Sequence, residues 1–318
     1  MKILFAGTPE IAVPLLASLS RQLDVVAVLT APDKPVGRSK QLQPSPVKTE
    51  AQRLGIPVLQ FDSLRTEARQ AVRETGADTL VTFAFGKIFG PKFLALFDRT
   101  FNVHPSALPL LRGPSPIQHE ILYRFREAVI SLQTVGEKMD EGDIWATTSF
   151  SLDGTETTLS LTEKVAAVAA SFVPPVLCDI ENRTSRPQEG EATYCTMIDS
   201  SMAVLDFNRP ASELHALVRA MYPWPKARAT INGKDIMITS VYGGFAELED
   251  QGYQFSQLPA SNLPAGSVFA FEKKKGLGVV CRDSVLWING LQLPSKKEMD
   301  HVAFVNGNNW IVGARFDE

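Results

Sequence analysis

Along the first half of the chain, short unbroken apolar runs alternate with stretches whose apolar residues recur every three or four positions. Lys2–Ala6 reads as a buried strand entering the turn Gly7-Thr8-Pro9. Ile11–Ser20, with Val13, Leu15, Leu16 and Leu19, has helical spacing, and Asp24–Thr30 is a second strand. Ile56–Phe61 predicts a strand, Leu64–Glu74 a helix and Thr79–Gly86 a near-continuous apolar strand, the pattern of a parallel strand covered on both faces. Thr100, Phe101 and Val103 begin another strand that Pro105 and Pro109 stop. A helix over Pro114–Tyr123 and strands over Ala128–Val135 and Asp143–Leu152 follow. Thr157–Ile180 is a long helix that Pro174-Pro175 should kink or break. This order predicts a doubly wound α/β domain.

The second half changes period. Glu181–Asp199 is polar and reads as a linker, and Ala211–Met221 is an amphipathic helix ended by Tyr222-Pro223-Trp224-Pro225, with Trp224 read as core. Beyond Ala227, Asn232-Gly233 signals a hairpin, and short strands near Ile236–Tyr242, Gly266–Phe271, Gly278–Arg282 and Val285–Gln292 predict a small β-barrel. The expected division is residues 1–185, a linker at 186–205, and a second domain at 206–318.

Composition narrows the classes. With 318 residues and 44% hydrophobic content, the chain can bury a sizeable core in two domains. A net charge of -3 advertises no global nucleic-acid affinity, so any such contact must come from local patches. Cys178, Cys195 and Cys281 are scattered without a Cys-x-x-Cys pair, which suits a reducing compartment and argues against zinc. MKILFAGTPE lacks the features of a signal peptide, and no stretch reads as long and apolar enough to cross a membrane, so a cytoplasmic protein without a membrane partner is expected. The absence of Gly-x-Gly-x-x-Gly and of a Gly-Lys-Ser/Thr loop disfavours nicotinamide and ATP sites.

Candidate chemistry concentrates at Phe101–Gln118. Asn102 and His104 are two apart on a strand and face the same way, so an amide donor and an imidazole could grip one developing negative charge. A polar strand end before a Pro-rich turn is the blander alternative. In Asp140-Glu141-Gly142-Asp143, carboxylates bracket a glycine; a surface turn is the plain option, and the rest of a calcium loop is missing. The long loop Ala31–Lys48 carries Lys34, Arg38, Lys40 and Lys48 against one acid, Asp33. It is either a solvated lid or a grip on a polyanion. His119, His215 and His301 lie on helical or turn segments without evident partners and are given no chemistry.

Asn102-x-His104, Ser106-Ala107-Leu108-Pro109 and Arg112-Gly113-Pro114-Ser115-Pro116-Ile117-Gln118 together resemble the signature of folate-dependent formyltransferases, with Ala107 where the family has Leu. Phe5-Ala6-Gly7-Thr8-Pro9 is similar to the opening of the methionyl-tRNA-specific branch. So is the basic loop, which runs from Pro32-Asp33 to Pro44-Ser45-Pro46-Val47-Lys48 with Ser39 in a glycine's place. Phe85 stands where the family usually has Tyr, and Met197 replaces the Lys of its Thr-Tyr-x-x-Lys-Ile segment, removing one phosphate contact. Met221–Pro225 and Leu291–Met299 resemble the C-terminal domain of that branch.

The resemblance implies an α/β, Rossmann-like formyltransferase domain followed by an OB-like, tRNA-binding barrel. It implies transfer of a formyl group from 10-formyltetrahydrofolate to the α-amino group of methionine on the initiator tRNA, supporting translation initiation. Asn102, His104 and Asp140 would be catalytic, with Asp143 a neighbouring acid that the pattern leaves open. Phe85, Gly86, Ile88, Ser106, Ala107, Leu108 and Pro109 would line the folate site. Lys34, Arg38, Lys40, Lys296 and Lys297 would contact tRNA, with Lys273, Lys274 and Lys275 as further basic candidates. No metal is required, and a monomer is expected. The alternatives are the same chemistry on another amine, such as an amino sugar nucleotide, and a non-enzymatic RNA-binding protein with a dead transferase domain.

Overall fold

The computed structural model describes residues 1–36, 41–246 and 262–317. Two compact units emerge. Unit 1 comprises Met1–Pro116, Ala128–Phe150 and Thr162–Cys195, and unit 2 comprises Ile117–Glu127, Ser151–Leu161 and Thr196–Glu318.

The chain opens with strand β1 (Lys2–Gly7), helix α1 (Val13–Gln22), strand β2 (Asp24–Thr30), strands β3 (Lys34–Val36) and β4 (Gln41–Gln43), and helix α2 (Pro46–Arg53). Then come β5 (Val58–Gln60), α3 (Thr66–Glu74), β6 (Thr79–Phe83), α4 (Pro91–Leu94), β7 (Arg99–His104), α5 (Pro116–Leu122), β8 (Glu127–Thr134), β9 (Ile144–Ser151) and α6 (Thr158–Cys178). The main sheet has seven strands in the order β5-β2-β1-β6-β7-β8-β9. Its β5–β2, β2–β1, β1–β6 and β6–β7 pairs are parallel, and β8 returns antiparallel to β7. The unbroken apolar runs explain the order: Ile3–Ala6 and all of β6 are buried, as strands with both faces covered must be.

The described parts of the long basic loop, residues 31–36 and 41–48, hold regular structure. Its flanks form an antiparallel ladder, Lys34 opposite Gln43 and Val36 opposite Gln41, because alternating polar side chains leave both backbones free to pair. Ser45 caps α2 by accepting from the Lys48 N–H at 3.1 Å, with Pro46 in the first turn. Lys48 is no free loop cation: its Nζ donates to both Asp33 carboxylate oxygens at 2.8 and 2.7 Å and to Gln60 Oε1 at 2.9 Å. Those hydrogen bonds, from Lys48 foremost, hold the Asp33 carboxyl below its usual pKa.

Helix α6 corrects two expectations. It runs on through Pro174 and Pro175 to Cys178. Leu161, Val165, Ala169, Val173, Val176 and Leu177 recur along one buried stripe. Each large apolar side chain so buried stabilises by about 1.5–3 kcal/mol, and together they offset the ~3 kcal/mol of each of the two interior prolines. By length and composition alone the helix is also apolar enough to cross a membrane, since Glu163 and Lys164 are its only charges, a test that the core helix of a folded domain passes too.

Unit 2 contains helix α7 (Ala211–Ala220), strands β10 (Ala227–Ile231), β11 (Lys234–Val241), β12 (Val268–Glu272), β13 (Gly276–Val280), β14 (Val285–Gln292) and β15 (Met299–Asp300), and helix α8 (His301–Gly307). The strands pair in the order β10-β11-β14-β13-β12, antiparallel throughout, with β15 beside β14. Asn232 and Gly233, with φ of 51° and 70°, make the β10–β11 turn. The two edges are tied by one segment: Phe316 bridges Ile231 at the end of β10, and Arg315 bridges Ser267 before β12. That closure turns the sheet into a barrel and removes its open edges. Leu214, Val218 and Met221 pack with Ile236, Ile238, Leu277, Ile288 and Phe304 in its core.

Trp224 is 62% exposed rather than core. At the corner between α7 and β10 the buried positions are Met221 and Ala227, and the intervening turn faces solvent. His215 and His301 do have partners. His215 Nε2 lies 3.0 Å from Gly243 O, and its Nδ1 accepts from Arg219 Nε at 3.1 Å. His301 Nε2 lies 2.9 Å from Lys273 O.

Phe316 is 2% exposed and stacks on Phe207 at a centroid distance of 4.9 Å. Phe316→Ala is expected to cost about 3–5 kcal/mol, read as a lowered urea midpoint, through loss of both the core ring and its place at the barrel seam. A midpoint equal to wild type would show that the seam carries no such role.

Candidate active site

Strand β7 ends between a parallel neighbour, β6, and an antiparallel one, β8. In that register Asn102 sits opposite Thr82 on one side and Gln133 on the other, while His104 faces Ser131. Asn102, His104 and Gln133 therefore project from one face near the carboxyl end of the strand. The hairpin between β8 and β9 returns over this end. Its base is fastened by Thr134 N–H to Asp143 O at 2.9 Å. Asp140 takes a left-handed φ of 56°, a conformation that Asp tolerates better than most residues. Gly142 has no room for a side chain: a Cβ there would lie 1.9 Å from Thr134 O.

The Asp140 carboxylate is held from several directions. Gln133 Nε2 donates to Oδ1 at 2.9 Å, Asn102 Nδ2 to the same oxygen at 3.5 Å, and the Gly113 N–H to Oδ2 at 2.9 Å. Gly113 is held close by a φ of 116° and by Cys195 O, which a Cβ would approach to 2.5 Å. His104 Nδ1 lies 3.6 Å from Asp140 Oδ1, and both side chains are nearly buried. The other nitrogen, Nε2, is 2.9 Å from Leu111 O. A carbonyl only accepts, so Nε2 carries a hydrogen and Nδ1 is the nitrogen that exchanges its proton on the side of Asp140 and Asn102. The 3.6 Å gap is slightly beyond direct hydrogen bonding.

The other residues named from sequence divide by placement. Ser106 is fully buried and spends its hydroxyl on Leu110 O at 2.6 Å, so it shapes the turn. Leu108 and Pro109 follow in that turn, joined by a cis peptide, with Leu108 nearly buried and Ala107 half-buried. Phe85 leaves the end of β6 and stacks on Phe89 at 5.2 Å in the core, Gly86 has a φ of 79°, and Ile88 is 75% exposed. Lys34 is exposed on β3, and Lys296 and Lys297 are exposed after β14. Arg38 and Lys40 lie outside the described residues. Lys275 is engaged by Glu272 at 3.4 Å and by the Trp287 ring. Burial raises the pKa of the Cys195 thiol, which packs between Ser115 N at 3.4 Å and Leu111 O at 3.6 Å. Asp143 joins through its backbone, whereas Asp140 supplies the carboxylate.

Sequence reasoning missed Gln133, Arg112 and Gln188. Gln133 was legible in principle, because a residue on the β8 strand opposite Asn102 must share its face. Gln188 lies in the polar stretch read as a linker.

Open α/β sheets bind ligands outside the carboxyl ends of their strands, and an amide, an imidazole and a carboxylate meet at that position on β7. The arrangement is a candidate acid–base site at the end of a strand in a doubly wound α/β domain. The chain belongs to the formyl transferase family: that family's profile matches residues 1–177, and the profile of its C-terminal domain matches residues 197–309. The methionyl-tRNA formyltransferase of Treponema pallidum (strain Nichols) is 38% identical to it, over 99% of each chain. Among solved structures, a methionyl-tRNA formyltransferase from Clostridium thermocellum superposes with a TM-score of 0.55 at 17% identity, covering 76% of this chain and 93% of that one. An N-formyltransferase from Helicobacter canadensis superposes with a TM-score of 0.64 at 18% identity, covering 94% of this chain and 100% of that one. At these identities the two structures are likenesses of fold.

Gly142→Ala should disturb this hairpin specifically. The added methyl must displace backbone, at a cost of about 1–3 kcal/mol in unfolding free energy, and a crystal structure should show the Asp140 carboxylate moved away from His104. An unmoved carboxylate with wild-type stability would contradict the close contact.

Proposed function

We propose that this protein transfers a formyl group from 10-formyltetrahydrofolate to the α-amino group of methionyl initiator tRNA. The observation that carries the proposal is the convergence of Asn102 Nδ2 and His104 Nδ1 on Asp140 Oδ1, at 3.5 and 3.6 Å. The full-length similarity to a methionyl-tRNA formyltransferase supports the choice of substrates.

The residues suit the reaction. A free α-amine titrates near 7.7–8.0, so a useful neutral fraction is available around neutral pH. Its attack on a formyl carbonyl puts negative charge on the carbonyl oxygen. Asn102 Nδ2–H and a proton on His104 Nδ1 are the donors for that charge. Giving that proton to the leaving nitrogen frees His104 Nδ1 to take one from the attacking nitrogen, so the imidazole ends as it began, while Asp140 orients it and accepts charge-assisted hydrogen bonds. The 10-formyl folate supplies the formyl group. The turn 106–111 and the segment 84–89 leave adjacent strands at this end of the sheet, and the exposed Ile88, the half-buried Ala107 and the Gly86 backbone fit a flat, largely apolar ligand there. Unit 1 is proposed to catalyse the transfer and unit 2 to hold tRNA through the exposed Lys296 and Lys297, with the exposed Lys34 of unit 1 as a further phosphate contact.

Incubation with 10-formyltetrahydrofolate and charged initiator tRNA should yield formyl-methionine, with glycinamide and an amino sugar nucleotide left unmodified. Preferential formylation of the sugar amine would contradict the proposal. His104→Ala should fold normally and lose at least about 10²–10³-fold in rate, and near-normal turnover would reject its role. Replacing Lys296 and Lys297 together by Ala should weaken tRNA binding and flatten its salt dependence by about one to two units of log–log slope.

A further inference from the structure

Asp140 is held on a left-handed turn, and the peptide groups of that turn must themselves be fixed for the carboxylate to stay aimed. The fixing group comes from 48 residues away. Gln188 Nε2 donates to Asp140 O at 2.8 Å and to Gly142 O at 2.8 Å, using both amide hydrogens on the two carbonyls that flank Glu141 and Gly142. Gln188 Oε1 accepts from Arg112 Nε at 3.1 Å and Nη2 at 2.8 Å, a forked pair of hydrogen bonds. Arg112 Nη1 reaches Glu141 Oε1 at 3.3 Å in the same turn and the Tyr194 hydroxyl at 3.3 Å. The orientation of the Gln188 amide is dictated by chemistry, because a guanidinium only donates and carbonyls only accept.

The segment carrying Gln188 is anchored on both sides. Arg186 and Ile144 exchange backbone hydrogen bonds at 2.8 and 2.9 Å. Arg112 exchanges hydrogen bonds with Thr193 O at 2.9 Å and Cys195 N at 2.8 Å. Gln188 Nε2 also lies 3.4 Å from Gln133 Oε1, and Gln133 in turn donates to Asp140 Oδ1. Arg112 therefore orients Gln188, whose two amide hydrogens pin the backbone of the turn, while Gln133 separately holds its carboxylate.

We propose that Arg112 and Gln188 are positioning residues for Asp140, acting as a clamp that fixes the Asp140–Gly142 turn rather than contacting substrate. The inference rests on the transfer reaction proposed above for its kinetic consequence, but its geometric content stands apart from the identity of the substrates. Displacing a reacting group by about 1 Å costs up to ~10²-fold in rate even when the changed residue is remote from the chemistry. Without the Gln188 amide, two carbonyls of a strained turn lose their donor, and the Gly113 N–H loses a stationary acceptor.

The test uses the full chain with Gln188→Ala, Gln188→Glu and Arg112→Ala, and reads kinetics and amide hydrogen exchange together. Gln188→Ala should lower kcat about 10–100-fold with KM for both substrates within about twofold. Exchange at the Gly113 amide should accelerate at least about tenfold, while the Cys195 amide, bonded to Arg112 O, keeps its protection. Gln188→Glu discriminates clamp from filler. It preserves the fork to Arg112 but offers no donor to the carbonyls, so its kcat should match that of Gln188→Ala. Arg112→Ala should share the kcat loss. Wild-type kcat in Gln188→Ala, a fully active Gln188→Glu, or unchanged Gly113 exchange would each overturn the clamp. If the wild-type protein itself transfers no formyl group to methionyl-tRNA, the proposed function fails, and the exchange readout alone still decides the clamp.

Discussion

The structure depends on keeping one carboxylate acceptor aimed at one imidazole at the end of a strand. Asp140 Oδ1 and Oδ2 receive hydrogen bonds from Gln133, Asn102 and the Gly113 backbone, and His104 Nδ1 stands 3.6 Å away. None of these groups is near the others in sequence except Asn102 and His104. The seven-stranded sheet sets Gln133 of β8 opposite Asn102 of β7, and the β8–β9 connection, leaving beside Phe101, folds back so that Asp140 reaches Asn102 and His104.

Much of the rest serves that placement. The buried β1 and β6 strands make a rigid platform, since a close-packed apolar interior transmits little freedom to its edges. The turn at 105–111 fixes the Leu111 carbonyl that selects the protonated nitrogen of His104, and Ser106 is buried to hold that turn. Gly142 and Gly113 are small where the backbone of a second strand or segment passes within contact distance. The barrel of unit 2 solves a different problem: it gives a second set of short strands no open edge, by tying both edges to Arg315 and Phe316.

The α/β strands, the barrel, and the Asn102–His104 pair were legible because each rests on a local period or a short motif. Asp140 was legible through family resemblance, since nothing in a Glu-Gly-Asp turn says which carboxylate points inward; the left-handed φ at Asp140 decides it. Gln188 was hidden because long-range pairing, not local pattern, orders its polar segment through Ile144 and Arg112. Lys48 looked like a free cation in a basic loop, yet it lies in a helix and neutralises Asp33. Pro174 and Pro175 looked like a helix end, but tertiary burial of the surrounding stripe overrides a local penalty. Trp224 looked like core by residue type, and only the shape of the α7–β10 corner exposes it.

The most direct measurement is single-turnover formyl transfer by Asp140→Asn, with thermal unfolding in parallel. The amide has nearly the shape of the carboxylate, yet it cannot accept on both of its terminal atoms, so one of the Gln133, Asn102 and Gly113 contacts must break and the charge beside His104 is gone. The account predicts a rate about 10²–10⁴-fold below wild type with an unfolding temperature nearly unchanged. A rate within about threefold of wild type would contradict it.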